Sequence, residues 1–283
     1  MKKWGIFLCL VIGLGFAIPK ILPLIQKKVD IQSLPQTGYQ FEEMDIPHEQ
    51  IYQGNLVLVN SEYPVYQEQT NSDIAHLSKN NHLVMGFGLL DDSIQLSESV
   101  TGKFSRMVDA AKKEGVQHFM INSGYRGFEE QETLYKEMGA DYALPAGYSE
   151  HNLGLALDVG STQGKMENAS EGKWLEKNAW KYGFILRYPK DKTAVTGIQY
   201  EPWHIRYVGL PHSAVMYEKN FVMEEYLDYL KSEKNLSVQY KGKKYQISYF
   251  PVSENSTIQV PIHQKYSLSG NNMDGVIVTV YPD

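Results

Sequence analysis

The sequence predicts an α+β fold, and three patterns carry that reading. Val100, Phe104, Met107, Val108 and Ala111 recur at helical spacing and stop at Gly115. Short runs such as Phe119-Met120-Ile121 and Leu155 to Val159 are too brief for helices and fit strands lying between them. Beyond Lys231 alternation takes over, with Tyr245, Ile247 and Tyr249 on one face and Lys241-Gly242 as a turn, which reads as a small C-terminal β appendage ending in a strand from Val276 to Tyr281.

In chain order, Lys2 and Lys3 precede an apolar run from Trp4 to Ile18, the pattern of an export signal read positive-inside. At 1.5 Å per residue the run spans ~22 Å, short of a ~30 Å hydrocarbon core, and the segment from Pro19 to Ile25 extends it. Residues 1–26 are therefore expected to be a membrane anchor or signal segment. The expected placement is single-pass in the cell membrane with the rest outside the cytoplasm, or secretion after cleavage near Gly15 and Ala17. Residues 27–55, polar and broken by Pro35, Gly38 and Pro47, read as a stalk or an extended wrap.

The main domain is expected over 56–231. Leu56 to Val59 reads as a buried strand, and Leu134, Tyr135 and Met138 mark a helix stopped by Gly139. A helix from Ser170 to Tyr182, capped by Ser170 and closed by Gly183, leads to strands at Phe184 to Arg187 and Trp203 to Val208. One further helix is expected from about Pro211 to Lys231, followed by the β appendage over 232–283.

Composition narrows the chemistry. Lys and Arg number 27 against 33 Asp and Glu, a net charge of −6 across 283 residues, so no nucleic-acid partner is expected. The single cysteine, Cys9, excludes an intrachain disulfide, a multi-cysteine zinc site and an iron-sulfur centre, so any metal must sit on His, Asp or Glu.

Those residue types cluster in two short blocks. In the first, from Ser149 to Asp158, a histidine stands on a loop, a glycine follows it, and an aspartate lies inside the next strand. On one continuous strand His151 and Asp158 would face opposite sides, so a bend at Gly154 is needed to bring them to a common point. The second block, Glu201-Pro202-Trp203-His204, adds another histidine with a carboxylate three positions before it. His151, Asp158 and His204 then form the three-ligand, one-open-position pattern of a catalytic zinc, one ion per chain, and Glu201 is left over as the base. Zinc acidifies water, and Glu201 is placed to take the proton as a peptide carbonyl is attacked and to return it to the leaving amine. Arg126 offers a permanent fork-shaped cation to the oxyanion. Ser149 is a candidate donor to a substrate carboxylate, with Gln131 from the following helix as a second, while Tyr125 and Trp203 either contact substrate or pack beneath the site.

Three blocks in order resemble the zinc D,D-peptidases that include the VanY-like D-alanyl-D-alanine carboxypeptidases and the related dipeptidases. Ser123-Gly124-Tyr125-Arg126 with Gln131 matches S-x-Y-R-x4-Q; Ser149 to Asp158 matches S-x-H-x2-G-x-A-x-D; Glu201 to His204 matches E-x-W-H. The resemblance spans roughly Leu56 to Leu230. It implies a zinc D,D-peptidase fold in which a small antiparallel sheet carries the metal site with helices packed around it. It also implies zinc on His151, Asp158 and His204, Glu201 as general base and acid, and Arg126 at the substrate carbonyl; Ser123, Tyr125, Gln131, Ser149 and Trp203 are the further residues expected around the substrate. The implied substrates are peptidoglycan precursor peptides ending in D-Ala-D-Ala. Release of D-alanine would remove the target of glycopeptide antibiotics, and a resistance role and a wall-editing role both fit. Two alternatives stand beside it: an endopeptidase on cross-linked wall peptides would use the same site with a longer cleft, while a non-catalytic wall-binding module would require a lost base or ligand, and Glu201, His151, Asp158 and His204 are all present. A serine D,D-peptidase fits worse, because Lys192-Thr193-Ala194 precedes Ser253-Glu254-Asn255, the reverse of the order that mechanism uses.

Overall fold

The computed structural model describes residues 29–33, 40–139, 144–254 and 256–282. The apolar run expected as an anchor, within residues 1–26, lies outside the described residues. Among the described residues no helix is long and apolar enough to cross a membrane, and the single-pass placement and the membrane partner expected from the sequence are withdrawn on that ground.

The described residues begin with β1 (Val29–Ser33), β2 (Phe41–Ile46), β3 (Ile74–His76), β4 (Gly88–Leu89) and β5 (Gln95–Ser97). They continue through α1 (Glu98–Lys113), β6 (Phe119–Ser123), α2 (Phe128–Met138), β7 (Ala156–Ser161), α3 (Ser170–Asn178) and β8 (Phe184–Leu186). Then come α4 (Thr193–Thr196), β9 (His204–Tyr207), α5 (His212–Lys219) and α6 (Met223–Glu233). The final strands are β10 (Asn235–Tyr240), β11 (Lys243–Pro251), β12 (Ser256–Pro261), β13 (Tyr266–Gly270) and β14 (Gly275–Val280). The α+β class is as the sequence predicts.

The central sheet has the order β4-β6-β7-β9-β8, antiparallel except for the β4–β6 pair. Helix α1 covers one face, because its Val100, Phe104, Met107, Val108 and Ala111 form the apolar stripe read from the sequence, and all five are buried against Phe119, Ile121, Leu157 and Ile205. Ser97 caps this helix by accepting from the Val100 N–H.

A second sheet, β1-β10-β11-β14-β13, is antiparallel throughout, and β2 pairs with β12 beside it. Its inner face shares a core with α5, α6 and β8, where Val29, Ile185, Met216, Tyr226, Leu236 and Ile247 are buried together.

Three local expectations are corrected. Leu56 to Val59 is buried as expected but belongs to no strand; its polar backbone is satisfied instead by Asn271, Ser269, Asn272 and the Arg206 guanidinium. The helix expected from Pro211 to Lys231 is two helices, separated where Asn220 adopts a left-handed conformation at φ 54°. Ala169 rather than Ser170 occupies the cap of α3, and Ser170 is its first helical residue, with its hydroxyl turned to Glu171.

Candidate active site

Three neighbouring strands set one row of side chains. Across the β6–β7 pair Ser123 lies opposite Asp158, and across the β7–β9 pair Asp158 lies opposite His204, so the three project from the same face of the sheet. A bulge between Ile121 and Ser123 produces this register, since Ile121 still faces Val159 while Ser123 has moved on to Asp158.

His151 reaches the row from a short 3-10 turn, Glu150–Leu153, whose start is capped by the Ser149 hydroxyl accepting from the His151 N–H at 3.4 Å. The turn ends at Gly154, φ +75°, the bend that the sequence requires there. A Cβ at this position would lie 2.3 Å from Ile74 Cδ1, a side-chain end that could swing aside, so it is the conformation that selects glycine.

The result is a tight donor set. His204 Nδ1 lies 3.1 Å from Asp158 Oδ1, and His151 Nε2 lies 3.4 Å from Asp158 Oδ2. The two imidazoles are nearly perpendicular, 87° apart, and one donor atom from each of the three residues falls within 4.8 Å of the others. Among the described residues this is the one such group of His, Cys, Asp and Glu. The far nitrogens fix the tautomers. His151 Nδ1 is 2.6 Å from the Gly124 carbonyl, which can only accept, so the proton sits there and the Nε2 lone pair turns inward. His204 Nε2 lies 3.4 Å from Glu150 Oε2, and its Nδ1 turns inward in the same way. Two imidazole lone pairs and a carboxylate converging on one point fit a zinc ion.

Charge supports that fit. Burial pushes the Asp158 carboxyl up, but His151 and His204 outweigh it and hold it well below the usual carboxylate range. Burial likewise disfavours a charged His204, yet its bonds to Asp158 and Glu150 raise its pKa to about 9, so a metal ion would take the place of the proton that Nδ1 otherwise holds. The cluster therefore attracts positive charge. Glu201 stands at the rim, with Oε2 3.8 Å from His204 Nδ1. Burial raises its pKa, the His204 charge works against that, and the charges of Asp158 and Glu150 add to it. A carboxyl moved upward in this way is suited to both accepting and returning a proton.

The remaining residues expected at the site fall into two groups. Arg126, Gln131 and Ser123 come together: Arg126 donates to Gln131 Oε1 at 2.8 Å and to Ser123 Oγ at 3.0 Å, which fixes the guanidinium beside the donor set. Gln131, on the first turns of α2, is itself buried and donates to the Leu144 carbonyl at 2.5 Å. A cleft of about 730 Å³ opens along Ser123, Tyr125, Arg126 and Glu130. By contrast, Ser149 is buried and engaged in capping. Trp203 is 38% exposed, so it does not pack beneath the site as a core residue.

Sequence reading missed the support behind His204. Glu150, fully buried, accepts from Arg187 Nε at 2.9 Å and from Arg206 at 2.8 Å, and Arg187 also grips Glu224 with both terminal nitrogens at 2.7 and 2.9 Å. Burial opposes ionisation of Glu150, but Arg206 and Arg187 hold its pKa far below the ordinary value. The available signal was a charge inside the apolar strand Phe184-Ile185-Leu186-Arg187, matched by Arg206 on the strand of His204.

Residues 93–210 match the family model described as VanY: D-alanyl-D-alanine carboxypeptidase. A curated "D-alanyl-D-alanine carboxypeptidase" of Enterococcus faecium is 59% identical over 100% of this chain and 97% of its own length. The crystal structure of the vancomycin resistance D,D-dipeptidase VanXYg, in complex with a D-Ala-D-Ala phosphinate analog, superposes with a TM-score of 0.74 at 29% identity, covering 86% of this chain and 99% of that one. A mutant of the vancomycin resistance D,D-pentapeptidase VanY from a VanB-type resistance cassette, in complex with Zn(II), gives a TM-score of 0.51 at 30% identity, covering 61% of this chain and 98% of that one. With a relative so similar from end to end, and a family model lying over the strands that carry the donor set, the chain belongs to the D-alanyl-D-alanine carboxypeptidase family.

Proposed function

We propose that this enzyme removes the terminal D-alanine from peptidoglycan precursor peptides ending in D-Ala-D-Ala, using one Zn2+ held by His151 Nε2, Asp158 and His204 Nδ1. The observation that carries the reading is the convergence of those three donors within 4.8 Å, with an upward-shifted carboxyl, Glu201, at the rim. Zinc supplies Lewis-acid polarisation of the scissile carbonyl and acidifies water. Glu201 takes the proton released as water attacks and delivers it to the amine of the departing D-alanine. Arg126, held in position by Gln131 and Ser123, faces the oxygen on which negative charge develops. His151 and His204 keep their lone pairs inward because Gly124 and Glu150 occupy their opposite nitrogens. Support for the substrate comes from the E. faecium relative's activity and from the D-Ala-D-Ala analog bound by the VanXYg dipeptidase. Such trimming removes the D-Ala-D-Ala that glycopeptide antibiotics bind, which links the enzyme to resistance.

The test compares product release from a pentapeptide precursor, free D-Ala-D-Ala and a cross-linked muropeptide, with and without a chelator. Release of D-alanine from the pentapeptide, abolished by chelation and unaffected by penicillin, is the expected result. Cleavage confined to the cross-linked substrate would replace the proposal with an endopeptidase.

A further inference from the structure

A recess of about 650 Å³ lies in the seam between the central sheet and the C-terminal sheet. It stands apart from the candidate active site. Strand β9 carries His204 at its start and Tyr207 at its end, and only Tyr207 lines the recess. The two side chains leave opposite faces of the strand and are separated by roughly 10 Å along it.

Its lining runs against the charge of the chain. Lys103 and Arg106 come from α1, Lys181 from the turn before β8, Lys243 from β11 and Lys265 from the approach to β13. None of these five forms an ion pair with a described residue, and no described residue of the lining is acidic, in a chain whose net charge is −6. Folding has thus gathered cations from four separate segments into one concavity, Lys181 held by the Asn178 amide oxygen at 2.5 Å and none of the five neutralised by a described carboxylate, so that they repel each other unless an anion enters. Between the cations stand Tyr182, Tyr207, Tyr266 and Tyr281, all half-buried, and the Ser267 hydroxyl, 3.0 Å from that of Tyr281. Such rings offer an apolar face to C–H groups and a hydroxyl to polar ones.

We infer that this recess binds an anionic saccharide or polyol polymer, with the five cations taking its repeated anionic groups and the tyrosines packing against the units between them. Neither the metal site nor the D,D-peptidase activity is needed for the argument. Bound in this way, the polymer would hold the enzyme against an anionic glycan matrix while the active site on the other strand face stays free.

The full chain is titrated by calorimetry with poly(glycerol phosphate), a polyuronate, uncharged dextran and a single-stranded oligonucleotide, at about 50 mM and about 300 mM salt. Binding to an anionic polymer that weakens at the higher salt is expected, and the tighter of the two identifies phosphate or carboxylate as the preferred group. Arg106→Gln with Lys265→Gln should lower that affinity at least tenfold; both side chains are exposed, so thermal stability and release of D-alanine from a small peptide should stay unchanged. Arg106→Glu with Lys265→Glu should abolish binding. Affinity that survives either pair, equal binding of dextran, no binding at the lower salt, or tighter binding of the oligonucleotide than of both polymers would overturn the proposal.

Discussion

His204 Nε2 lies 3.4 Å from Glu150 Oε2, and Glu150 is in turn clamped by two fully buried guanidiniums, Arg187 and Arg206. The imidazole that faces the donor set is thereby oriented by a carboxylate that has nowhere else to go. Breaking a buried network by neutralising one partner leaves charge without compensation and costs about 3–5 kcal/mol. Glu150→Gln should therefore lower the melting temperature by roughly 10 °C, at 2–4 °C per kcal/mol for a domain this size, and weaken zinc retention. Calorimetry with metal analysis checks both. A variant that melts within about 2 °C of the parent and keeps its zinc would show the network to be incidental.

Glu201 and His204 sit three positions apart but have different work to do. On the proposed mechanism Glu201→Ala removes the proton acceptor and leaves the donors His151, Asp158 and His204 in place, so turnover should drop about 10²–10⁴-fold with zinc content unchanged. In His204→Ala the donor set is reduced to two, and zinc occupancy should fall first, taking activity with it. Elemental analysis beside kcat separates the two. Zinc lost in Glu201→Ala and kept in His204→Ala would reverse their roles.

The contrast between Glu150 and Glu201 shows what local sequence can carry. Glu201, His204, His151 and Asp158 stand in two short blocks whose spacing declares them, and Gly154 announces the bend that joins two of them. Glu150, flanked by Ser149 and His151, carries no spacing of its own that singles it out. Its meaning resides in Arg187, Arg206 and Glu224, which no local period connects to it. The fold divides in the same way. The stripe on α1 is visible in sixteen residues, whereas β1 pairs with β10 and β2 with β12, contacts made across most of the chain. Leu56 to Val59 has the composition of a buried strand and the burial of one, but the groups that satisfy its backbone are three side chains and one carbonyl from distant segments. The cations of the recess between the sheets were invisible for that reason too, scattered from Lys103 to Lys265 in a chain of opposite net charge.

Arg126 spends two of its nitrogens on Gln131 and Ser123. Lysine at this position keeps the charge but cannot hold both partners and still face the substrate with a planar edge. If Arg126 meets the developing oxyanion as proposed, Arg126→Lys should reduce kcat by more than it raises KM. Gln131→Ala should show the same signature more weakly, roughly tenfold in kcat, because Gln131 acts through Arg126. Steady-state kinetics on a pentapeptide decide it: an effect confined to KM would place Arg126 on the ground-state substrate.

Far from the site, His212 is buried between α5, α6 and β14 at the wall of the recess between the sheets, with Nδ1 2.7 Å from the Tyr226 hydroxyl and Nε2 2.9 Å from that of Thr279. Both hydroxyls can donate or accept, so a neutral imidazole is satisfied there. Burial depresses its pKa from 6.5 to about 3. Between those values the unfolded chain binds a proton at this histidine and the folded chain does not, so its contribution to stability is complete above pH 6.5 and is lost as the pH falls toward 3. Within that window the loss is about 1.4 kcal/mol per pH unit for the single group. His212→Gln, which places an amide between the same hydroxyls, should be less stable than the parent at neutral pH and close the gap as the pH drops toward 4. Denaturant unfolding at pH values from about 7 down to about 4 measures that difference directly. If the gap between parent and variant stays constant across the range, the parent must protonate His212 without unfolding, and the buried neutral imidazole described here would be wrong.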